Sequence, residues 1–343
     1  MKGYDVALVV WSPPAHEINV VPYDLVLSKR YPFLFRSKYT RFLLQIFLFL
    51  WSTWYFDLFI MCFKDRLLDR SILLRWVELQ LIQLAGKKII LNTYGDDIMT
   101  PHMTLGTKYK YSVLEGFLKD RDYANRDECL VLKNRNYCQK WADYIVSAID
   151  HVQYLERIDD CLHMRCVDLA EFTPACETSN SIPVIAHAPN HRLFKGTAYL
   201  IKAVDELNEE GVHCTLNIIE QRPHNEVLEG ISCADIAADQ FLVGAYARFA
   251  IESMALCKPV VCYLRDDLFE LNPVWEESPI VNANPDNLKE KLKELILMSP
   301  TERSYIGKNG RAYVEKYHSI EYIGNRMHEI IARVWFADKV KIL

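Results

Sequence analysis

The sequence predicts an α/β protein with two parallel sheets. Apolar segments of strand length alternate with segments of helical periodicity, and this alternation restarts after a polar, turn-rich stretch at residues 177–183. Strands that alternate with helices pair in parallel through right-handed crossovers. The 343 residues, at roughly 150 per domain, allow about two such domains. We therefore expect two Rossmann-like domains whose parallel sheets face each other across a cleft.

The N-terminal domain is expected to span residues 1–176. Its strand candidates are short apolar segments between turn residues, and its helix candidates carry apolar residues at helical spacing. Gly86 stands where a helix C-cap belongs. The predicted strands are residues 4–11, 55–63, 88–93 and 143–147, and the predicted helices are residues 40–53, 67–84 and 137–141, with one more inside the polar segment 98–135.

The C-terminal domain is expected to span residues 177–320. Residues 321–343 are expected to form a helix that packs back towards the N-terminal domain. The predicted strands of the second domain are residues 182–188, 214–220, 234–238 and 258–264. Its predicted helices are residues 196–210, a short one from about 225, residues 247–256 and 285–297, and one from 301 onward.

The composition excludes several classes of protein. Half of the residues are hydrophobic and a quarter are charged, which is typical of a globular protein with an ordinary core and not of a disordered or fibrous one. A net charge of −5 argues against general nucleic-acid binding, which needs a basic surface. The ten cysteines follow neither a disulfide framework nor a standard zinc spacing, so we interpret them as reduced thiols.

One apolar run bears on membrane insertion. Residues 42–56 (FLLQIFLFLWSTWYF) form a single apolar segment, but about 20 residues are needed to cross a bilayer. We interpret the run as a buried helix that leads into a strand. The N-terminus does not resemble a signal peptide. Together these features predict a cytoplasmic protein.

The segment 187–197 (HAPNHRLFKGT) lies between the first strand and the first helix of the second domain. Ligands of open α/β sheets bind at this edge of the sheet. Arg192 offers a planar fork and Lys195 a point charge, and both suit a diphosphate. Gly196 would let the backbone approach closely at the start of the helix. The alternative is a strand–helix loop whose two cations are merely solvated.

The segment 240–261 (QFLVGAYARFAIESMALCKPVV) contains a glycine loop that opens a helix. The free N–H groups and the dipole at such a helix start can hold an anion. Glu252 follows nearly two turns into an otherwise apolar helix, and a carboxylate near a buried face needs a partner. A pair of ribose hydroxyls would serve, and so would a nearby arginine or a backbone donor. The sequence leaves these alternatives open.

The two segments, found together and in this order, resemble the donor half of GT-B glycosyltransferases, near the retaining family 4 (glycosyl transferases group 1) of bacterial polysaccharide assembly. Residues 306–311 (IGKNGR) and 317–319 (YHS) resemble the end of that domain, so the similarity covers about residues 182–330. Residues 91–98 (LNTYGDDI) resemble a strand-end segment of the family more weakly. Gly95 and Asp97 match it, while Tyr94 stands where a His is frequent.

The resemblance implies transfer of a sugar, with retention, from a nucleotide diphosphate donor to a glycan or lipid-linked acceptor in cell-surface polysaccharide synthesis. It implies a metal-independent hexosyltransferase with no cofactor besides its nucleotide-sugar substrate. The adjacent pairs Asp96–Asp97 and Asp266–Asp267 are not the spaced pair of metal-dependent transferases. The implied catalytic residues are Arg192, Lys195 and Asp97, and the implied nucleotide-sugar contacts are Gly196, Gln240, Gly244, Tyr246 and Glu252.

The chain also departs from the family pattern. Many relatives carry two glutamates with seven residues between them; Glu252 matches the second, and Gly244 replaces the first. No glycine-rich loop follows the first strand. Two other functions therefore stay open, a nucleotide-sugar epimerase of the same fold and a non-catalytic GT-B partner subunit. Turnover without an acceptor would favour the epimerase, and nucleotide binding without transfer would favour the partner subunit.

A basic segment precedes the apolar run. Between Asp24 and Asp57 there is no acidic residue, whereas five cations stand among aromatic residues. The five are Lys29, Arg30, Arg36, Lys38 and Arg41. Such a segment, followed by an apolar helix, suits an anionic membrane surface and predicts a peripheral position on the inner face of the membrane. The alternative is a basic loop that covers an ordinary buried helix.

Overall fold

The computed structural model describes residues 4–10, 24–95, 97–105, 110–120, 125–162, 164–175 and 180–340. The chain forms two compact units. Unit 1 comprises residues 1–100, 127–162 and 327–343, and unit 2 comprises residues 101–126 and 163–326. Residues 101–126 therefore belong to unit 2, although they precede the predicted linker at residues 177–183 by more than fifty positions. Of that linker, residues 177–179 lie outside the described residues.

Unit 1 contains two parallel sheets in its described residues. A two-stranded sheet pairs β1 (Val9–Val10) with β2 (Leu25–Val26). The main sheet has the order β3-β4-β5-β6 and is parallel throughout. Its strands are β3 (Leu58–Cys62), β4 (Lys88–Asn92), β5 (Tyr144–Ser147) and β6 (Asp160–Cys161). The centre of β4 is fully buried at Ile89, Ile90 and Leu91, as expected of a parallel strand covered on both faces.

Two sequence predictions for unit 1 need correction. Within the described part of residues 4–11, only Val9 and Val10 form a strand. Residues 4–8 are exposed, and the pairing of this segment with β2 begins at Leu8, whose carbonyl accepts the Leu25 N–H at 3.2 Å. The helix predicted over residues 67–84 begins only at Glu78, after a short 3-10 turn. The preceding residues turn around buried Asp69, whose carboxylate accepts bonds from Arg75 Nη2 (2.8 Å) and the Asp65 N–H (3.0 Å). A side chain that bonds nearby backbone competes with helix.

The helices of unit 1 follow the apolar periodicity, and the predicted C-cap is confirmed. Gly86 has φ +74°, donates to the Gln83 carbonyl (2.8 Å), and is followed by Lys87, which donates to the Ile82 carbonyl (3.2 Å). This is a Schellman ending. The helices in this part of the chain are α1 (Leu27–Arg30), α2 (Lys38–Tyr55), α3 (Glu78–Leu84), α4 (Pro101–Leu105), α5 (Leu114–Lys119) and α6 (Glu128–Trp141), of which α4 and α5 belong to unit 2.

Unit 2 has a five-stranded parallel sheet in the order β11-β10-β9-β7-β8. Its strands are β7 (Val184–His187), β8 (Thr215–Ile218), β9 (Ile236–Ala238), β10 (Val260–Cys262) and β11 (Val281–Asn282). Its further helices are α7 (Arg192–Lys195), α8 (Thr197–Glu209), α9 (His224–Ser232), α10 (Arg248–Ala255), α11 (Leu288–Leu297) and α12 (Pro300–Tyr317). The last helix, α13 (Ile320–Val340), continues from unit 2 into unit 1.

The core of unit 2 confirms the predicted strand–helix alternation. Buried side chains of β7, β9 and β10 form one core with side chains of α8 and α11, and these two helices also pack against each other. Residues such as Ile185, Leu200, Ile236 and Leu292 are completely buried. None of the helices in the described residues has the length and apolar character needed to cross a membrane.

Candidate functional site

The strand order of unit 2 defines where a ligand can bind. From β7 the chain goes to β8 on one side, then returns to β9, β10 and β11 on the other. The carboxyl ends of β7 and β9 therefore flank a topological switch point, where open α/β sheets bind ligands. His187 ends β7, and Asp239 directly follows β9.

A buried ion pair occupies this switch point. Lys195 Nζ donates to Asp239 Oδ1 at 2.5 Å, and both residues are buried, with 8% and 1% of their surfaces exposed. The other carboxylate oxygen of Asp239 accepts the Ala247 N–H at 2.8 Å, at the start of α10. Asp239 thus connects the predicted cation to the predicted helix start. A buried charge of this kind is tolerable only when it is paired.

His187 fixes the loop beside the pair. Its Nδ1 lies 2.8 Å from the Ala238 carbonyl, which can only accept, so Nδ1 carries the proton and Nε2 accepts from Thr197 Oγ1 at 2.8 Å. Burial lowers the pKa of His187 to about 4. The ring is therefore neutral at pH 7, and it ties the end of β9 to the start of α8.

Gly196 connects α7 to α8 in a left-handed conformation, with φ +75°. A Cβ at this position would lie 3.2 Å from Leu242 Cγ and 3.3 Å from Phe241 Cβ. A side chain would therefore be strained both in its backbone and in its contacts. The glycine makes the tight turn that brings Lys195 onto Asp239.

Arg192 is also at the carboxyl edge of the sheet, but it is half exposed and already paired. Its guanidinium forms a two-pronged contact with Glu220, just beyond β8, at 2.8 and 2.5 Å. The hydrogen bonds to Arg192 lower the pKa of the Glu220 carboxyl. A diphosphate that uses Arg192 has to compete with Glu220 or draw the arginine away from it.

Glu252 is buried and bound to an arginine and a histidine side chain. Its Oε1 accepts from Arg248 Nε at 2.5 Å, one turn earlier on α10, and lies 2.9 Å from His224 Nε2 on α9. This is the arginine partner that the sequence left open as the alternative to ribose hydroxyls. The predicted ribose contact stays a prediction, which a bound nucleotide would test.

Gly244 and Gln240 shape the loop that precedes α10. Gln240 Nε2 donates to the Ala245 carbonyl, and Gly244 has φ +81°. The stem of Arg265 passes so close that a Cβ on Gly244 would lie 2.4 Å from its Cγ and Cδ. The buried Arg265 guanidinium is paired with Asp267 at 3.0 Å. Gly244 stands where many GT-B family 4 enzymes carry the first of two glutamates. In this chain, the aliphatic part of the Arg265 side chain packs against that position.

We expect Gly244→Ala to destabilise unit 2 more than Gly211→Ala. Both glycines have φ +81°, but Gly211 has open space where its Cβ would be. The backbone penalty, on the order of 1–3 kcal/mol, is common to both variants. Crowding against Arg265 adds a further loss of about 1–3 kcal/mol for Gly244 alone. Urea unfolding of both variants measures the difference, and equal losses would show that Arg265 simply moves aside.

Tyr246 is placed away from solvent, in an aromatic cluster. Its hydroxyl lies 3.0 Å from Tyr313 Oη and 2.8 Å from His318 Nε2, and its ring packs on Trp275 at 5.3 Å. Burial raises the pKa of Tyr246 well above its ordinary value. The tyrosine attaches the loop before α10 to α12, so it positions this loop rather than presenting its own hydroxyl at the surface.

Asp97 belongs to unit 1, where it connects two strand ends. Its Oδ2 accepts the N–H groups of Phe63, after β3 (3.3 Å), and of Tyr94, after β4 (3.2 Å). Asp97 is buried, while Tyr94, at the family's His position, is exposed. The neighbouring Asp96 lies outside the described residues. The predicted catalytic role of Asp97 stays a prediction.

A helix inside the segment 98–135, which the sequence analysis placed in the N-terminal domain, supports the loop before Lys195. Helix α5 packs so closely on α7 that a Cβ on Gly116 would lie 2.7 Å from the Phe194 ring. Asp120 Oδ2 lies 3.0 Å from His191 Nε2, and the rings of Phe117 and Phe194 meet edge to face at 5.2 Å. No local signal assigns residues 101–126 to unit 2, because these contacts span more than seventy positions.

Asp239 is the most important residue that the sequence interpretation did not select. A signal was present, since an aspartate follows a short apolar strand at 234–238, where the carboxyl end of a parallel strand is expected. Within the described residues, no group of three His, Cys, Asp or Glu side chains could hold a metal ion.

The four-stranded sheet of unit 1 and the five-stranded sheet of unit 2, both parallel and covered by helices, give this chain the GT-B fold. The chain resembles a sucrose-phosphate synthase from Thermosynechococcus elongatus, with a TM-score of 0.55 and 15% identity over 87% of this chain and 79% of that one. It resembles HepE from Anabaena, solved with UDP and glucose, with a TM-score of 0.54 and 13% identity over 91% and 86% of the two chains.

A third solved structure with this fold is an α-glucosyltransferase in complex with UDP and a 13-mer DNA. Its TM-score is 0.50, with 12% identity over 80% of each chain. No protein-family model matches the sequence, and no curated protein matches it. At these identities the likeness establishes the fold.

Proposed function

We propose that this protein is a glycosyltransferase that takes its sugar from a nucleoside diphosphate donor bound in unit 2. The observation that carries the proposal is the Lys195–Asp239 pair at the switch point, beside the start of α10. Among the described residues, Asp239 is the acceptor that Lys195 Nζ contacts. An ammonium has three N–H donors, so two remain for the oxygens of a diphosphate.

In the proposed reaction, the bond between the sugar's anomeric carbon and the diphosphate oxygen breaks. An acceptor hydroxyl forms the new bond to the same carbon, and its proton passes to the departing diphosphate oxygen, which takes the electron pair of the broken bond. Negative charge grows on the departing diphosphate, and Lys195 stabilises it, since a preorganised cation acts most strongly where charge develops. Asp239 and the Gly196 turn hold the lysine in position.

The nucleotide is proposed to be UDP. HepE has been solved with UDP, with UDP-glucose, and with UDP and glucose, and the α-glucosyltransferase has been solved with UDP. Glu252 would then exchange its contact with Arg248 or with His224 for ribose hydroxyls. A retaining, metal-independent hexosyl transfer in cell-surface polysaccharide synthesis, at the inner face of the membrane, completes the proposal.

A thermal-shift screen with UDP, GDP, ADP and CMP tests the donor proposal. A ligand that binds only the folded state stabilises it by mass action and so raises the melting temperature. At a concentration of 100 times the Kd, the free energy of unfolding rises by about 2.7 kcal/mol. We expect UDP to give the largest shift. Turnover assays with UDP-sugars then separate the alternatives, because an epimerase consumes the donor without an acceptor and a partner subunit binds without turnover. If none of the four nucleotides shifts the transition, the donor site is wrong.

A further inference from the structure

Helix α2 is apolar on two opposite faces. The face formed by Leu44, Leu48, Phe49 and Ser52 is buried within unit 1. The other face is exposed and broad, because it includes the neighbouring pairs Phe42–Leu43, Leu50–Trp51 and Trp54–Tyr55; we call it the α2 stripe. Its large apolar and aromatic residues, each exposed over more than a third of its surface, are Tyr39, Phe42, Leu43, Phe47, Leu50, Trp51, Trp54 and Tyr55.

Among the described residues, the stripe is not part of the buried cluster that holds α2 in unit 1. Leu44 and Leu48 already fix the helix against Leu27 in a buried cluster. By contrast, 64% of Leu43 and of Phe47, and 88% of Trp54, face solvent. A continuous apolar surface of this kind marks an interaction site on a water-soluble unit.

A cavity adjoins the stripe. Its volume is about 590 Å³, within the range of roughly 300–1,000 Å³ for small-ligand sites. It lies between α2 and the segment that precedes it, and its walls are almost entirely apolar. The lining residues include Leu25, Phe33, Leu34, Leu43, Phe47 and Trp51. Because Leu43, Phe47 and Trp51 belong to both, the stripe and the cavity form one apolar surface.

The surroundings of this surface are mainly cationic, although the Asp5 carboxylate accepts a hydrogen bond from the Tyr55 hydroxyl at 3.2 Å, near the C-terminal end of the helix. Lys29, Arg30, Arg36, Lys38 and Arg41 are all exposed, and no carboxylate stands between residues 25 and 56. In the part of the chain that the structure describes, the guanidinium and ammonium groups of Arg30, Arg36, Lys38 and Arg41 form no ion pair with an acidic side chain. An occupant is therefore expected to combine hydrocarbon with negative charge.

We infer that the α2 stripe inserts into the surface of an anionic bilayer and that the adjoining cavity takes an acyl chain of an anionic lipid. The inference deepens the proposed membrane location of this transferase and rests on it. Basic residues beside an exposed stripe of Trp, Tyr, Phe and Leu are the composition of helices that lie in the plane of the interface. Trp and Tyr favour that depth because their rings are amphipathic.

The test uses the full chain and vesicles of phosphatidylglycerol mixed with phosphatidylcholine, with bromine atoms on the acyl chains. Bromine quenches tryptophan only within the hydrocarbon. We expect quenching that the double variant Trp51→Phe/Trp54→Phe largely removes. The variant Trp335→Phe is the matched control, since Trp335 is an exposed tryptophan (45%) elsewhere in unit 1 and its loss should leave the quenching in place.

Two further variants separate insertion from electrostatic attraction. The variant Leu43→Ser/Phe47→Ser keeps all five cations and should abolish quenching. The control variant is Ile72→Ser/Leu73→Ser, which should leave quenching unchanged. Its two residues are 82% and 79% exposed and lie elsewhere in unit 1. Neutralising the five cations should remove sedimentation with the vesicles at low salt. For the cavity, lysophosphatidylglycerol below its micellar concentration should bind about fourfold more tightly per added methylene, while glycerol phosphate should not bind.

Vesicle binding without tryptophan quenching would overturn the inference and leave the proposed membrane location standing as electrostatic attraction alone. Quenching without sugar transfer would contradict the proposed function but not the lipid site. A dimer in sedimentation velocity that the Leu43→Ser/Phe47→Ser variant dissociates, together with no vesicle binding, would show that a second copy of the chain covers the stripe. Lysolipid affinity independent of chain length would exclude the cavity as its site.

Discussion

The double variant Lys195→Met/Asp239→Asn should lose about 100- to 1,000-fold in the rate of sugar transfer, the usual cost of removing one preorganised electrostatic group. Lys195 is the cation at the switch point, and the variant removes it from the departing diphosphate. Initial rates at saturating UDP-sugar and acceptor measure the loss. Its melting temperature should stay near that of the wild type, because no charge is left buried without a partner.

The single variants provide the control. Lys195→Met alone leaves the Asp239 carboxylate buried without its counterion, and breaking such a pair costs about 3–5 kcal/mol. Low activity in that variant could therefore come from a slower transfer step or from a smaller folded fraction, and the rate alone would not separate the two. In the double variant, the amide oxygen introduced at position 239 can still accept the Ala247 N–H that Asp239 accepts in the wild type. If the folded double variant transferred sugar at the wild-type rate, Lys195 would have no role in stabilising the departing diphosphate.

The largest effect on stability is expected from Gly307→Ala. Gly307 lies in α12 where the helix crosses the end of α10, and a Cβ there would lie 1.8 Å from the Cys257 carbonyl oxygen. Backbone cannot rotate away as a side chain can, so the helices must separate. We expect a loss above about 3 kcal/mol, beyond the ordinary cost of overpacking. Urea unfolding monitored by far-UV circular dichroism measures it.

Gly324→Ala is the matched control with the opposite sign. Gly324 is also helical and in unit 2, but it has open space around its Cβ position. Alanine in an exposed helix position stabilises by up to about 1 kcal/mol relative to glycine. If Gly307→Ala were as harmless as Gly324→Ala, the close crossing of α10 and α12 would be wrong.

Much of the fold could be predicted because the signals are local. Buried parallel strands are short apolar runs, so the strands of unit 2 from residues 184 to 262 fall where the sequence predicts them. The Gly86 cap needs only a glycine after an apolar helical pattern. The two-residue strands β2, β6 and β11 were missed, because two residues carry no periodicity.

The site could be predicted only in part. The loop that carries Arg192, Lys195 and Gly196 was located from its cations and its glycine at a strand end. The acidic partners of these cations could not be predicted, because Glu220 and Asp239 follow two other strands of the sheet. Likewise, the contact of Arg265 with Gly244 could not be predicted, because Arg265 follows the carboxyl end of a different strand, β10.

The sequence by itself determined the α/β class, the main parallel sheet of each unit and the edge of unit 2 at which a ligand is expected, because these depend on patterns within some ten to twenty residues. The tertiary structure decided which charges are paired, that residues 101–126 belong to unit 2, and that α2 keeps one apolar face exposed. The physical reason is that pairing and burial depend on residues brought together from distant positions, whereas periodicity records only whether a residue is apolar and not what covers it.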